Sequence, residues 1–130
     1  MSAGEPMPKP HALMNLEKGE RFYKFFFFRP HAGRHKQFEY RIFTKEKADG
    51  NLSLVAYNFK IENGVPIKDH ITEALEVPKD QLKGIVQGIK RRTHTMPDEF
   101  EEVDLSRFKT VDEQTEFLRS SGRADVSYLH

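Results

Sequence analysis

Apolar positions recur along this chain first at strand spacing and then at helical spacing. Between Arg21 and Arg29 stand Phe22, Tyr23, Phe25, Phe26, Phe27 and Phe28. So dense a run of β-favouring aromatics, closed by Pro30, predicts a first strand. The connection Arg29 to His35 holds Pro30 and Gly33 and predicts a hairpin loop longer than the tight two-residue type. A second strand is expected from Gln37 to Lys45. It alternates Phe38, Tyr40 and Ile42 on one face with Gln37, Glu39, Arg41 and Lys45 on the other. One face should be core and the other wet, with Phe43 breaking the rule.

Asp49-Gly50 marks the next turn, and Leu52 to Glu62 the third strand through Val55, Tyr57, Phe59 and Ile61. After Asn63-Gly64, the positions Val65, Ile67, Ile71, Leu75 and Val77 share a period of two, which allows a fourth strand bent near Asp69. Pro78 suits the first position of a helix, whose apolar stripe is Leu82, Ile85, Val86 and Ile89. Lys90, Arg91 and Arg92 suit its C-terminal dipole. The expected fold class is α+β, a curved four-stranded antiparallel sheet backed by one helix (ββββα).

Three units follow along the chain: a disordered arm over 1–12, where Pro6, Pro8 and Pro10 remove donors; the α+β domain over 13–95; and an acidic extension over 96–130. Phe100, Val103, Leu105 and Phe108 are its candidate anchors. A short helix should begin at a capping box of Thr110 and Glu113, present Phe117 and Leu118 on one side, and stop at Gly122.

The chain contains no Cys and no Trp. This excludes disulfides, thiolate zinc sites and cysteine nucleophiles, and permits an intracellular location, cytoplasmic or nuclear. No run has the length of a signal-peptide core or a membrane span, so no membrane partner is expected. The net charge of +1 hides an asymmetry: residues 1–95 carry 17 basic against 11 acidic side chains, and residues 96–130 carry 4 against 9. Lys18 to Lys47 alone holds nine basic and three acidic residues, so a local positive field is expected.

Catalytic chemistry leaves little trace. His31 and His35 are neighbours without the further ligands a zinc site needs. Asp69, Glu73 and Glu76 have no partnered histidine, and Ser53, Ser106, Ser120 and Ser121 lack a nucleophile-elbow context. Gly84 and Gly88 fall inside the helix, where they read as points of close helix approach and not as a phosphate-cradling loop. Neither enzyme activity, nor a cofactor, nor a metal is expected.

The aromatic and basic hairpin is the stronger candidate. Strand parity puts Phe22, Lys24, Phe26 and Phe28 on one face and Arg21, Tyr23, Phe25, Phe27 and Arg29 on the other. A single helix covers one face, so the second must meet water, another subunit, a ligand or the chain's own tail. Bases stacking on Tyr23, Phe25 and Phe27 while Arg21 and Arg29 hold phosphates would make this a single-stranded nucleic-acid interface. Packing under the C-terminal segment or in a dimer interface explains the same rings. The competing functional class is a protein-interaction module, viral or regulatory, that grips a partner protein with its exposed aromatics.

The run Glu76-Val77-Pro78-Lys79-Asp80-Gln81-Leu82-Lys83-Gly84-Ile85, after four strands, resembles the end of the positive cofactor four family of transcription coactivators. There a last strand enters a helix through a short proline and acidic/glutamine turn before a bulky apolar residue. The resemblance covers roughly Phe22 to Arg92 in element order and Val77 to Ile89 in sequence. With the similarly built Whirly and Pur-type proteins, it implies a dimer that binds single-stranded DNA or RNA along basic and aromatic strands. In this chain it implies a homodimer through Leu82, Ile85, Val86 and Ile89, and a ridge of Lys24, Arg29, Arg34, Lys36 and Arg41. The family's basic-glycine approach to its last strand is replaced here by the acidic Ile61-Glu62-Asn63-Gly64-Val65. The acidic tail would occupy the basic groove until nucleic acid displaces it, or recruit a basic protein partner.

Overall fold

The computed structural model of the protein describes residues 16–31, 33 and 36–121. The arm expected over 1–12 and the helix stop expected at Gly122 lie outside them. Four strands form an antiparallel meander: β1 (Arg21–Phe28), β2 (Phe38–Glu46), β3 (Leu52–Glu62) and β4 (Val65–Val77). A 3₁₀ turn over Lys79–Gln81 then leads into α1 (Leu82–Thr93), so Pro78 precedes that tight turn and does not open the α-helix itself. His94, in the left-handed region at φ 56°, ends α1.

The expected four-stranded sheet has a fifth member. β5 (Phe100–Asp104) pairs antiparallel with the outer edge of β1, giving the order β4-β3-β2-β1-β5. The boundary drawn at residue 95 therefore falls between α1 and a strand of the same sheet. The acidic sequence of β5 suits its neighbour, because Glu102 lies beside β1 and its carboxylate meets Lys24 Nζ at 2.9 Å. The chain continues through a 3₁₀ turn at Leu105–Arg107 into α2 (Val111–Ser121). At the entry to α2, Thr110 and Glu113 exchange side-chain to backbone bonds, each of 3.1 Å.

Simple parity fails in β1. The register moves from Phe22 opposite Lys45 to Phe25 opposite Phe43, so Tyr23 and Lys24 together face Thr44 in a bulge. The Thr44 hydroxyl fills it, accepting from the Lys24 N–H at 2.8 Å and donating to the Lys24 carbonyl at 2.9 Å. Phe22 consequently joins Phe25 and Phe27 in one core cluster, while Tyr23 packs with the cluster of Phe26 and Phe28.

Both sheet faces are covered. On one, α1 sets Leu82 and Val86 against Phe26, Phe28, Ile42, Leu52 and Leu54. On the other, Leu105 and Leu118 close over Phe22, Phe25, Phe43, Val55 and Tyr57. The expectation of a wet face on β2 is thus overturned: Glu39, Phe43 and Lys45 on that face are all buried. The physical reason is that the C-terminal segment supplies the cover a single helix could not.

Candidate functional site

The hairpin residues that the sequence singled out are distributed between core and internal ion pairs. Phe25 and Phe27 are 1% and 9% exposed, so neither ring offers a stacking surface while α2 is docked. The Arg21 guanidinium donates to the Phe108 carbonyl. Lys24 pairs with Glu102, whose hydrogen bond raises the lysine above its ordinary pKa against the opposing effect of burial. The Glu39 carboxylate accepts from Arg29 Nε at 3.3 Å and Arg41 Nε at 2.8 Å. Both guanidinium groups lie over aromatic rings, Arg29 at 4.7 Å from Phe27 and Arg41 at 4.3 Å from Phe59. Tyr23 is half-buried, with the Lys79 ammonium 5.1 Å from its ring centre. Lys36 is exposed, and Arg34 lies outside the described residues. Much of the charge asymmetry is therefore complementarity within the fold.

Of the helix residues, Leu82 and Val86 are buried against the sheet, while Ile85 and Ile89 are half-buried along one flank. That flank faces a groove. The sheet is wider than the helix, so the β3–β4 half of this face extends past α1 and leaves a cavity of about 580 Å³. Its floor is Tyr40, Ile42, Leu54 and Ala56, and its polar margin is Asn58, His70, Thr72 and Arg92.

The helical wall of the groove carries Gly84 and Gly88, where an added Cβ would meet nothing within 4 Å. Their expected role as points of close helix approach is accordingly corrected: they widen an open groove. Burial pushes the Tyr40 phenol above its ordinary pKa, with the nearby Arg92 charge working the other way. The Phe38 ring lies 6.1 Å from that of Tyr40 at an interplanar angle of 20°. Beyond Asn58 on the same strand face stands exposed Lys60, 3.8 Å from Glu62. Over its whole length α1 carries Lys83, Lys90, Arg91 and Arg92 and no carboxylate.

Parity places Tyr40 and Ile42 on the core face, where Ile42 is buried and Tyr40 packs against the same cluster, but does not reveal that both also floor a groove; Asn58 and His70 carry no motif. The available signal was the pair Gly84 and Gly88 on one helical flank, opposite a strand face that turns polar at Asn58, His70 and Thr72. No protein-family model, curated protein or solved structure matches the chain. Among the described residues no helix is long and apolar enough to cross a membrane, and no group of three or more His, Asp or Glu side chains could hold a metal ion.

Proposed function

We propose that this chain binds single-stranded nucleic acid on the helix-bearing face of its sheet, with bases entering the groove between α1 and β3–β4. One observation carries the reading. An apolar-floored groove holds a half-buried tyrosine, and the exposed guanidinium of Arg92 stands at its margin. A base placed on Tyr40 gains roughly 1–3 kcal/mol by stacking, and Arg92 at the groove margin is within reach of the sugar-phosphate backbone. The order of four antiparallel strands leading into a helix fits the resemblance to the positive cofactor four family. Relative to the sequence expectation, the contact surface moves from β1 to the opposite flank of the same sheet, because the β1 cations have partners within the fold.

Labelled single-stranded and duplex oligonucleotides titrated at two salt concentrations test this. Single strands should bind more tightly, with an affinity that falls as salt rises. Tyr40→Ala should weaken binding about tenfold, and Arg92→Ala should reduce the salt slope by about one. A folded protein that binds neither form overturns the reading.

A protein-interaction role has its own supporting observation. β4 is an edge strand on which Val65, Ile67 and Leu75 are about half exposed. Such an edge can accept a partner strand. Ile67→Lys with Leu75→Lys would abolish that mode and leave oligonucleotide binding intact.

A further inference from the structure

Consecutive strand residues point to opposite faces, yet the Asp69 carboxylate meets the imidazole of His70, its sequence neighbour, with Oδ2 3.2 Å from Nδ1. A bulge allows this. The register passes from Asn58 opposite His70 to Phe59 opposite Lys68, which leaves Asp69 as the extra residue of β4. The other ring nitrogen, Nε2, lies 3.0 Å from Asn58 Nδ2. A carboxylate only accepts and an amide nitrogen only donates, so Nδ1 carries the imidazole proton and Nε2 accepts from Asn58. The chain Asp69–His70–Asn58, at the solvent-exposed margin of the groove, biases which way the Asn58 amide faces. Asn58 and His70 both line the groove. The amide retains its acceptor oxygen and a second N–H beyond the bond to His70.

We infer that Asn58 is a base-reading residue and that His70, held by Asp69, is its positioning residue. Together they make the groove discriminate amino bases from keto bases. This rests on the nucleic-acid reading of the groove. Cytosine and thymine differ at the readable edge by a swap of donor and acceptor: cytosine offers an amino donor beside a ring acceptor, and thymine a carbonyl acceptor beside a ring donor. An amide free to turn end over end satisfies either. An amide held one way round satisfies one and opposes donor to donor and acceptor to acceptor in the other.

The test is fluorescence anisotropy of the full chain with equal-length oligo(dC) and oligo(dT) at one salt concentration. The two affinities should differ by about tenfold, the discrimination of one well-made amide pair. Asn58→Leu should remove the difference and lower only the tighter affinity. His70→Ala should also equalise the two without changing Tm. His70→Gln should restore the preference, because its amide oxygen again accepts from Asn58. Equal binding of both oligomers by the unmodified protein overturns this inference and leaves the groove reading standing, as does a preference that survives Asn58→Leu. Binding of neither oligomer overturns both.

Discussion

With its side chain fully buried, Gln114 does the work of a strand neighbour for backbone that has none. Its oxygen accepts from the Phe22 N–H at 3.1 Å, and its amide nitrogen donates to the carbonyls of Phe22 at 2.8 Å and Leu105 at 2.7 Å. One side chain thus joins α2 to the start of β1 and to the turn after β5. Gln114→Ala leaves these groups without partners where water is excluded, and the expected loss is about 2–4 kcal/mol. Urea unfolding followed by circular dichroism measures it. A loss well under 1 kcal/mol would mean that α2 contributes little to the stability of the sheet. Gln114 carries no sequence signal for this role, because an amide in an acidic amphipathic segment looks the same whether it faces water or a buried strand end.

Among the elements, α1 shows most directly what the groove demands of the fold. Gly84 and Gly88 weaken the helix by roughly 1 kcal/mol each relative to alanine and face open space, so nothing among the described residues requires them. Gly88→Ala should therefore raise Tm by several degrees while weakening oligonucleotide binding several-fold, since a methyl group then enters the groove. A thermal melt beside a binding titration checks the pair of signs. Unchanged affinity would place the ligand away from this wall.

β2, β3 and the helical stripe were legible as elements from their apolar periods, although the polar face of β2 is buried as well. β1 was legible as a strand but not in its facing: six aromatics within the seven residues 22–28 carry no amphipathic signal, and the bulge depends on Thr44 in the next strand. β5 was hidden because Phe100–Asp104 has three carboxylates in five residues, and Lys24, which pairs with Glu102, lies far away in sequence. The groove was hidden for a related reason. It depends on where α1 rests across the sheet, which periodicity does not encode.

At the scale of the whole molecule, the near-neutral charge results from pairing and not from absence of charge. Lys24 and Lys79 are raised above 10.5 by hydrogen bonds to Glu102 and Glu46, and burial raises the Tyr40 phenol above 10.0. Each group binds its proton more tightly folded than unfolded. Its contribution is therefore whole below the ordinary value and is lost as pH climbs through the folded one. Stability should fall from about pH 10 upward. Solvent screening trims the share of the two partly exposed lysines, so Tyr40→Phe should flatten this decline more than Lys24→Met does. Urea midpoints at pH 8 and pH 11 for the three proteins decide it, and parallel declines would count against the assignment.

The pairing of β1 with β5 also sets an order of events during synthesis. β1 leaves the ribosome before the other strands and is completed after them. One of its edges waits for Phe100–Asp104, and the backbone of Phe22 waits for Gln114, 92 residues further on. Until then the meander of β1 to β4 presents an unpaired edge and a phenylalanine-rich face, the two features that make nascent chains associate with one another. Residues 100–118 close both the edge and the face, so a chain shortened before residue 100 should associate more readily than the whole one, as light scattering would show.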